Sequence, residues 1–348
     1  MTATQFWRMG ATPVPATEIG QLARSLENSG WDGLALGEAH GILPDPYVVL
    51  GVAAAATSDL KLGTSVAVPL RHPLLAADAM ATVQAFSAGR TRFVIGRGDG
   101  AMKVLQRGPM PVAEFEDYLR ALQGFLRRED VEMNGDVSSM SRLDDIDPSL
   151  AVAKPEVSVA ATGPRMIAAA ARWADGIDFS VGADVERLRQ SVALAREACE
   201  RAGRDPSTLN LGCYLQIAVT GDDAAASTRA REAVRGLIIT HARFSGNFSS
   251  KAAAVMEPVL SATRGGVARS AGGRPGELDF YPKEALEDER LDSFGIVATA
   301  DDCVERLLEI CDLGLSNVYI GTRSVGVDLA EENTLRIGRD VLGRVRGV

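Results

Sequence analysis

The stretch KLGTSVAVPLRHPLLAADAMATVQAFSAGRTRFVI, residues 61–95, reads as one complete repeat of a fold. Lys61–Ser65 is a β-type run, and Pro73–Phe86 is a helix opened by proline, which suits a first helical turn because its missing N–H has no partner there. Gly89 ends the helix, and Thr91–Ile95 is the next β-type run. The rhythm continues in both directions. Toward the N-terminus lie strands Gln5–Met9 and Gly33–Leu36, with helices near Ala16–Ser29 and over Pro46–Thr57. Toward the C-terminus a helix near Val112–Arg127 is followed by strands Glu156–Ala161, Gly176–Phe179, Asn210–Val219 and Asn317–Ile320. Strict alternation favours parallel strands joined by right-handed crossovers, and about eight strands is the number that closes an α/β barrel. The fold expected is a (β/α)8 TIM barrel spanning 1–348 as a single domain.

Individual helices support this. In Asp184–Gly203 the residues Val185, Leu188, Val192, Ala195, Cys199 and Ala202 recur at three- and four-residue steps, one apolar stripe for packing on a barrel wall. Thr299 is placed to cap a helix with Asp301 and Asp302 in its first turn, and Gly314 to end it. Two insertions interrupt the rhythm. Arg128–Pro155, after strand four's helix, is long enough for a hairpin or lid; residues 222–291, between strands seven and eight, are helical and then Gly- and Arg-rich.

The 348 residues are 46% apolar and 24% charged, enough for a large core. A net charge of -9 excludes a general nucleic-acid surface. The N-terminus carries no basic region followed by an apolar run, and apolar stretches such as Tyr47–Ala56 are shorter than the ~20 residues a bilayer requires. A cytoplasmic protein without membrane contact is expected. Cys199, Cys213, Cys303 and Cys311 form no C-x-x-C pair and read as free thiols; His40, His72 and His241 lack metal-ligand spacing.

In such a barrel chemistry gathers just past the strand ends. There the sequence places Glu38-Ala39-His40, Ser65-Val66, Arg71-His72-Pro73, Gly96-Arg97-Gly98-Asp99-Gly100 and Thr162-Gly163-Pro164-Arg165-Met166. Gly163 and Pro164 at a helix start leave backbone N–H groups for an anion, and Arg165 adds charge; the plain alternative is an ordinary turn. Arg97, Lys103 and Arg107 form either a basic ledge or a solvated loop. His40 is the best-placed general acid or base, against the plainer reading of a hydrogen-bonded structural histidine, and Glu38 reads either as the group that orients it or as a core-rim carboxylate. Trp7 and His72 are candidates for the substrate pocket, Trp7 equally for core packing.

Together GTSV (63–66), GRGD (96–99) and ATGPR (161–165) resemble the luciferase-like superfamily of flavin- and deazaflavin-dependent oxidoreductases, nearest the methylenetetrahydromethanopterin reductase-like branch. The resemblance implies a bulge at Ser65-Val66 with a non-proline cis peptide behind the cofactor ring. It implies cofactor contacts from Gly98 and Asp99, a phosphate-binding turn at Thr162, Gly163 and Pro164, and a second phosphate contact at Ser180 and Val181. Ala39 departs from the Glu-His-His run of many relatives, and Ala101 stands where the sugar-phosphate dehydrogenase branch carries a catalytic Glu.

The expected function is hydride transfer between coenzyme F420 and a small organic substrate. An FMN-dependent monooxygenase, supplied by a separate cofactor-reducing enzyme, stays open. So does a redox-free barrel enzyme holding a phosphorylated substrate at Gly321-Thr322-Arg323. Assembly as a homodimer or higher homo-oligomer is expected.

Overall fold

A computed structural model of the chain describes residues 3–10, 15–41, 43–98, 101–220, 292–322 and 327–347. Strands β1 (Gln5–Gly10), β2 (Gly33–Leu36), β3 (Lys61–Ala67) and β4 (Thr91–Ile95) alternate with helices α1 (Ile19–Asn28), α2 (Pro46–Ala56) and α3 (Pro73–Phe86). After β4 come a one-turn helix α4 (Ala101–Val104) and α5 (Val112–Leu126). The first insertion holds an antiparallel hairpin, β5 (Val131–Met133) with β6 (Asp136–Ser138), and the short α6 (Leu143–Ile146). The alternation resumes with β7 (Glu156–Ala161), α7 (Pro164–Trp173), β8 (Gly176–Phe179), α8 (Val185–Arg201) and β9 (Asn210–Val219). It closes with β10 (Gly295–Ala298), α9 (Ala300–Cys311), β11 (Asn317–Gly321) and α10 (Val327–Arg336).

Parallel pairings run β1-β2-β3-β4-β7-β8-β9-β11, and β11 returns to β1, so eight strands close the barrel as expected. β10 is an addition to that plan. The first residues of the long β9 pair with β8 up to Cys213, and its last four pair with β10 from Gln216. The insertion 222–291 lies outside the described residues, so the expectation for it finds no comparison here. Among the described residues no helix is long and apolar enough to cross a membrane. All four cysteines are free thiols.

Local chemistry sets the helix ends. Asp45 caps α2 by accepting from the N–H groups of Tyr47 and Val48, Asp184 caps α8, and Thr299 caps α9 as expected. Gly314 follows α9 with φ of 77°, a left-handed residue that glycine adopts without a Cβ clash.

Side chains facing outward from the strands pack with the helices in one large core that includes Phe6, Leu34, Leu62, Phe93, Val157, Ile177 and Leu307. The lumen is different. Trp7, Tyr319 and Tyr214 stack in series there, ring centroids 5.5 and 5.0 Å apart. Gly33 makes room for the indole, since a Cβ on it would lie 2.3 Å from Trp7. Beside the stack, fully buried Asp178 takes hydrogen bonds through Oδ2 from Arg92 (2.8 Å) and Ser158 (2.6 Å). Arg92 also donates to Glu156 (2.8 Å) and to the Tyr319 hydroxyl. Burial pulls the Arg92 pKa down, but Asp178, Tyr319 and Glu156 reverse this and hold it well above its ordinary range.

Removing one partner of a buried ion pair strands the other charge. Arg92→Met is therefore expected to destabilise the barrel by ~3–5 kcal/mol, read from the midpoint of a urea titration. A loss below ~1 kcal/mol would show that the barrel does not depend on this pair.

Candidate active site

β2 ends in Leu36-Gly37-Glu38, and the Glu38 N–H donates to the Val66 carbonyl at 3.1 Å, tying the turn to the end of β3. The Glu38 side chain is 1% exposed, and its carboxylate has three donors. Oε2 accepts from the Val68 N–H at 2.8 Å; Oε1 is shared by His40 Nε2 at 2.9 Å and Arg71 Nε at 3.4 Å. An ionised carboxylate only accepts, so a contact of this kind puts a proton on His40 Nε2; Nδ1 has no hydrogen bond among the described residues, on a ring 38% exposed. This is an imidazole oriented by a buried carboxylate, an arrangement suited to proton transfer.

Arg71 reaches across to α2. Its Nη2 donates to Asp45, the N-cap of that helix, and its guanidinium lies 4.7 Å from the centre of the Tyr47 ring. The phenols of Tyr47 and Tyr118 are both pushed up, first by burial and then by the Glu38 charge. The motif reading singled out Glu38 and His40 but neither Asp45 nor these tyrosines, and it gave Arg71 no role of its own. The sole local signal was Asp45 before Pro46, a helix-start pattern.

At the end of β3 the register against β4 shifts between Ser65 and Ala67, and the Ser65–Val66 peptide is cis. Both features are those the resemblance implied. Ser65 Oγ is buried, with the Tyr214 hydroxyl as its polar neighbour in the lumen. Next along the barrel, Gly96 N–H bonds to the Ala67 carbonyl at 2.9 Å. Gly98 has φ of 90°, and a Cβ there would meet Met102 at 2.5 Å, so the turn requires glycine. Arg97 exchanges two bonds with Met110: its Nη1 donates to the Met110 carbonyl, and its own carbonyl accepts the Met110 N–H, each at 3.0 Å. The side chain thus pins the loop. Asp99 and Gly100 lie outside the described residues.

Past β7, Thr162 precedes Gly163, which begins α7 with no side-chain cap and with Pro164 in its first turn. Space is open before Gly163, where an added Cβ would meet nothing within 4 Å. Arg165 is exposed, and Met166 is buried against the core. Ser180 follows β8 and bonds through its N–H to the Ala161 carbonyl at 3.0 Å. Val181 is 2% exposed and packs with the outer core.

Glu38, His40, Ser65, Val66, Gly98, Thr162, Gly163 and Ser180 therefore share one rim, at the C-terminal ends of five neighbouring strands. Trp7 is different: it is fully buried, and its indole N–H donates to Asn317 at 2.8 Å, the packing role rather than an accessible wall. His72 is exposed and caps α3, its Nδ1 accepting from the Leu74 N–H at 3.2 Å.

Comparison with known proteins gives the family and the fold. The family profile described as luciferase-like monooxygenase matches residues 1–317. A 5,10-methylenetetrahydromethanopterin reductase of Methanolobus tindarius is 26% identical over 341 residues, covering 94% of this chain and 97% of the relative. Among solved structures, the coenzyme F420-dependent tetrahydromethanopterin reductase of Methanopyrus kandleri superposes with a TM-score of 0.72 at 18% identity, covering 99% of this chain and 100% of that one. The oxygenating component of 3,6-diketocamphane monooxygenase from Pseudomonas putida, in complex with FMN, superposes at 0.67 with 15% identity and 99% of both chains covered.

Proposed function

Because the chain belongs to the luciferase-like family of oxidoreductases and monooxygenases, we propose that it is an F420-dependent oxidoreductase that moves a hydride between the deazaflavin and a small organic substrate. The observation that carries the reading is the His40 ring held on the buried Glu38 carboxylate, one strand from Ser65–Val66. Hydride transfer to or from an oxygen- or nitrogen-bearing carbon leaves a proton to be given or taken, and this pair is suited to handle it.

The residues fit such a cofactor. The start of α7 at Gly163 has no side-chain cap and open space for an anionic tail, and Ser65 Oγ is a buried polar atom at the end of β3. Ser65, Val66 and Gly98 would back the ring; Thr162, Gly163, Pro164 and Ser180 would hold the phosphate. When bound, F420 supplies a two-electron hydride carrier. The protein's part is to orient substrate and ring face to face and to exchange a proton at His40 Nδ1 while Glu38 keeps the ring in place.

The resemblance to the FMN-bound monooxygenase supports a second reading, FMN-dependent oxygenation on the same rim. For the redox-free alternative, the Thr322 hydroxyl is buried and bonded to Thr334 at 2.6 Å, while Arg323 lies outside the described residues.

Titrating the full chain separately with F420 and FMN, and following cofactor fluorescence and melting temperature, tests the assignment. Saturable F420 binding is expected, with stabilisation of about 2.7 kcal/mol at 100 times the dissociation constant. Saturable FMN binding with no F420 binding would replace this reading with the monooxygenase.

A further inference from the structure

Arg71 is placed as no ordinary surface arginine is. Its guanidinium sits between two carboxylates that belong to different elements, Glu38 after β2 and Asp45 at the start of α2, with the Tyr47 ring beneath it. Asp45 is already committed as a helix cap, with Oδ1 on the N–H groups of Tyr47 and Val48. Glu38 is sealed from solvent, and its other fixed donor, the Val68 N–H, is neutral. Among the described residues, then, Arg71 is the permanent cation on the carboxylate that holds His40.

We propose that Arg71 is a positioning residue that decides, through Glu38, which nitrogen of His40 carries the proton, and so keeps Nδ1 free as an acceptor. The functional consequence rests on the proposed role of His40. With Arg71 in place, the Glu38 carboxylate accepts from Nε2 and leaves the Nδ1 lone pair free to accept. Without that charge, nothing in the Arg71 position opposes a further proton on the Glu38–His40 pair. It can sit on Glu38, which then donates to Nε2 and shifts the ring proton to Nδ1, or on the ring itself as imidazolium. Either way Nδ1 becomes an N–H and stops accepting. Among the described residues, the titratable and charged groups around the pair are Asp45 and Tyr47 from α2, Arg71 from the β3–α3 turn, and Tyr118 from α5. Both phenols stay neutral, because burial and the Glu38 charge push them upward. Arg71 and the two carboxylates therefore set the balance.

The test compares Arg71→Met with Arg71→Lys in the full-length protein. The chain has three histidines, so a nitrogen-15 spectrum of labelled imidazoles is assignable, with His40→Ala identifying the signal. In the parent protein at neutral pH, Nδ1 of His40 is expected in the lone-pair range. In Arg71→Met it is expected to move into the N–H range, and in Arg71→Lys to stay near the parent value, with cofactor dissociation constants alike in all three. In the substrate-oxidising direction kcat of Arg71→Met should fall, by up to the roughly 10²–10⁴-fold that a positioned proton-transfer group contributes, with KM little changed. An unmoved Nδ1 signal in Arg71→Met overturns the proposal, as does an equal shift in Arg71→Lys, which would mean that charge is not the cause. A moved signal with unchanged kcat upholds the role of Arg71 and removes His40 from the reaction instead.

Discussion

Gly163→Asp is expected to abolish cofactor binding while the barrel stays folded and becomes slightly harder to melt. The two effects come from one atom group. Gly163 is the N-cap of α7 with φ of −124° and ψ of 165°, extended backbone open to any residue, and an added Cβ meets nothing within 4 Å. An aspartate can therefore enter without strain and cap the uncapped N–H groups, which is worth a few tenths of a kcal/mol over glycine. The same carboxylate stands where the proposed phosphate would bind. Two unit charges 4 Å apart repel by about 4 kcal/mol at an effective dielectric of 20, so the dissociation constant should rise by roughly 100-fold or more. Gly163→Ala, equally free of clashes, should bind almost as the parent does. Fluorescence titration and a melting curve on both variants decide it. An aspartate variant that binds as well as the parent rejects the turn as the phosphate site.

His40→Ala should lower kcat by ~10²–10⁴-fold and leave the cofactor dissociation constant within a few-fold of the parent value. The ring is 38% exposed and makes its described polar contact with Glu38, so truncation opens no large core cavity. Its partner keeps the Val68 and Arg71 donors, which limits the cost to folding. Steady-state rates and a cofactor titration on this one variant separate chemistry from binding. Near-parental turnover would make His40 a structural residue and pass the proton to water or another group. The departure at Ala39 from the run of many relatives makes this comparison informative.

The elements were legible in the sequence because their causes are local. Pro73 in a first turn, Thr299 as a cap and Gly314 past a helix end act within a few residues, and the apolar stripe of α8 repeats at helical spacing. Eight β-type runs separated by helices then admit few parallel topologies, and the barrel follows. The motif residues at the rim were legible for a related reason: strand ends converge on one face of that fold. Tertiary structure alone decided what those residues touch. Arg71 meets Asp45 across 26 residues and Glu38 across 33, and Arg92 meets Asp178 across 86. No spacing rule covers such separations. β10 was missed because its pairing partner, β9, lies far away in the chain and only barrel closure brings the two together. Trp7 reads as a pocket aromatic or a core aromatic with equal ease, until Gly33 and Tyr319 are seen to enclose it. Period and capping are written in neighbours along the chain, whereas ion pairs and lumen packing are set by which strands close on one another.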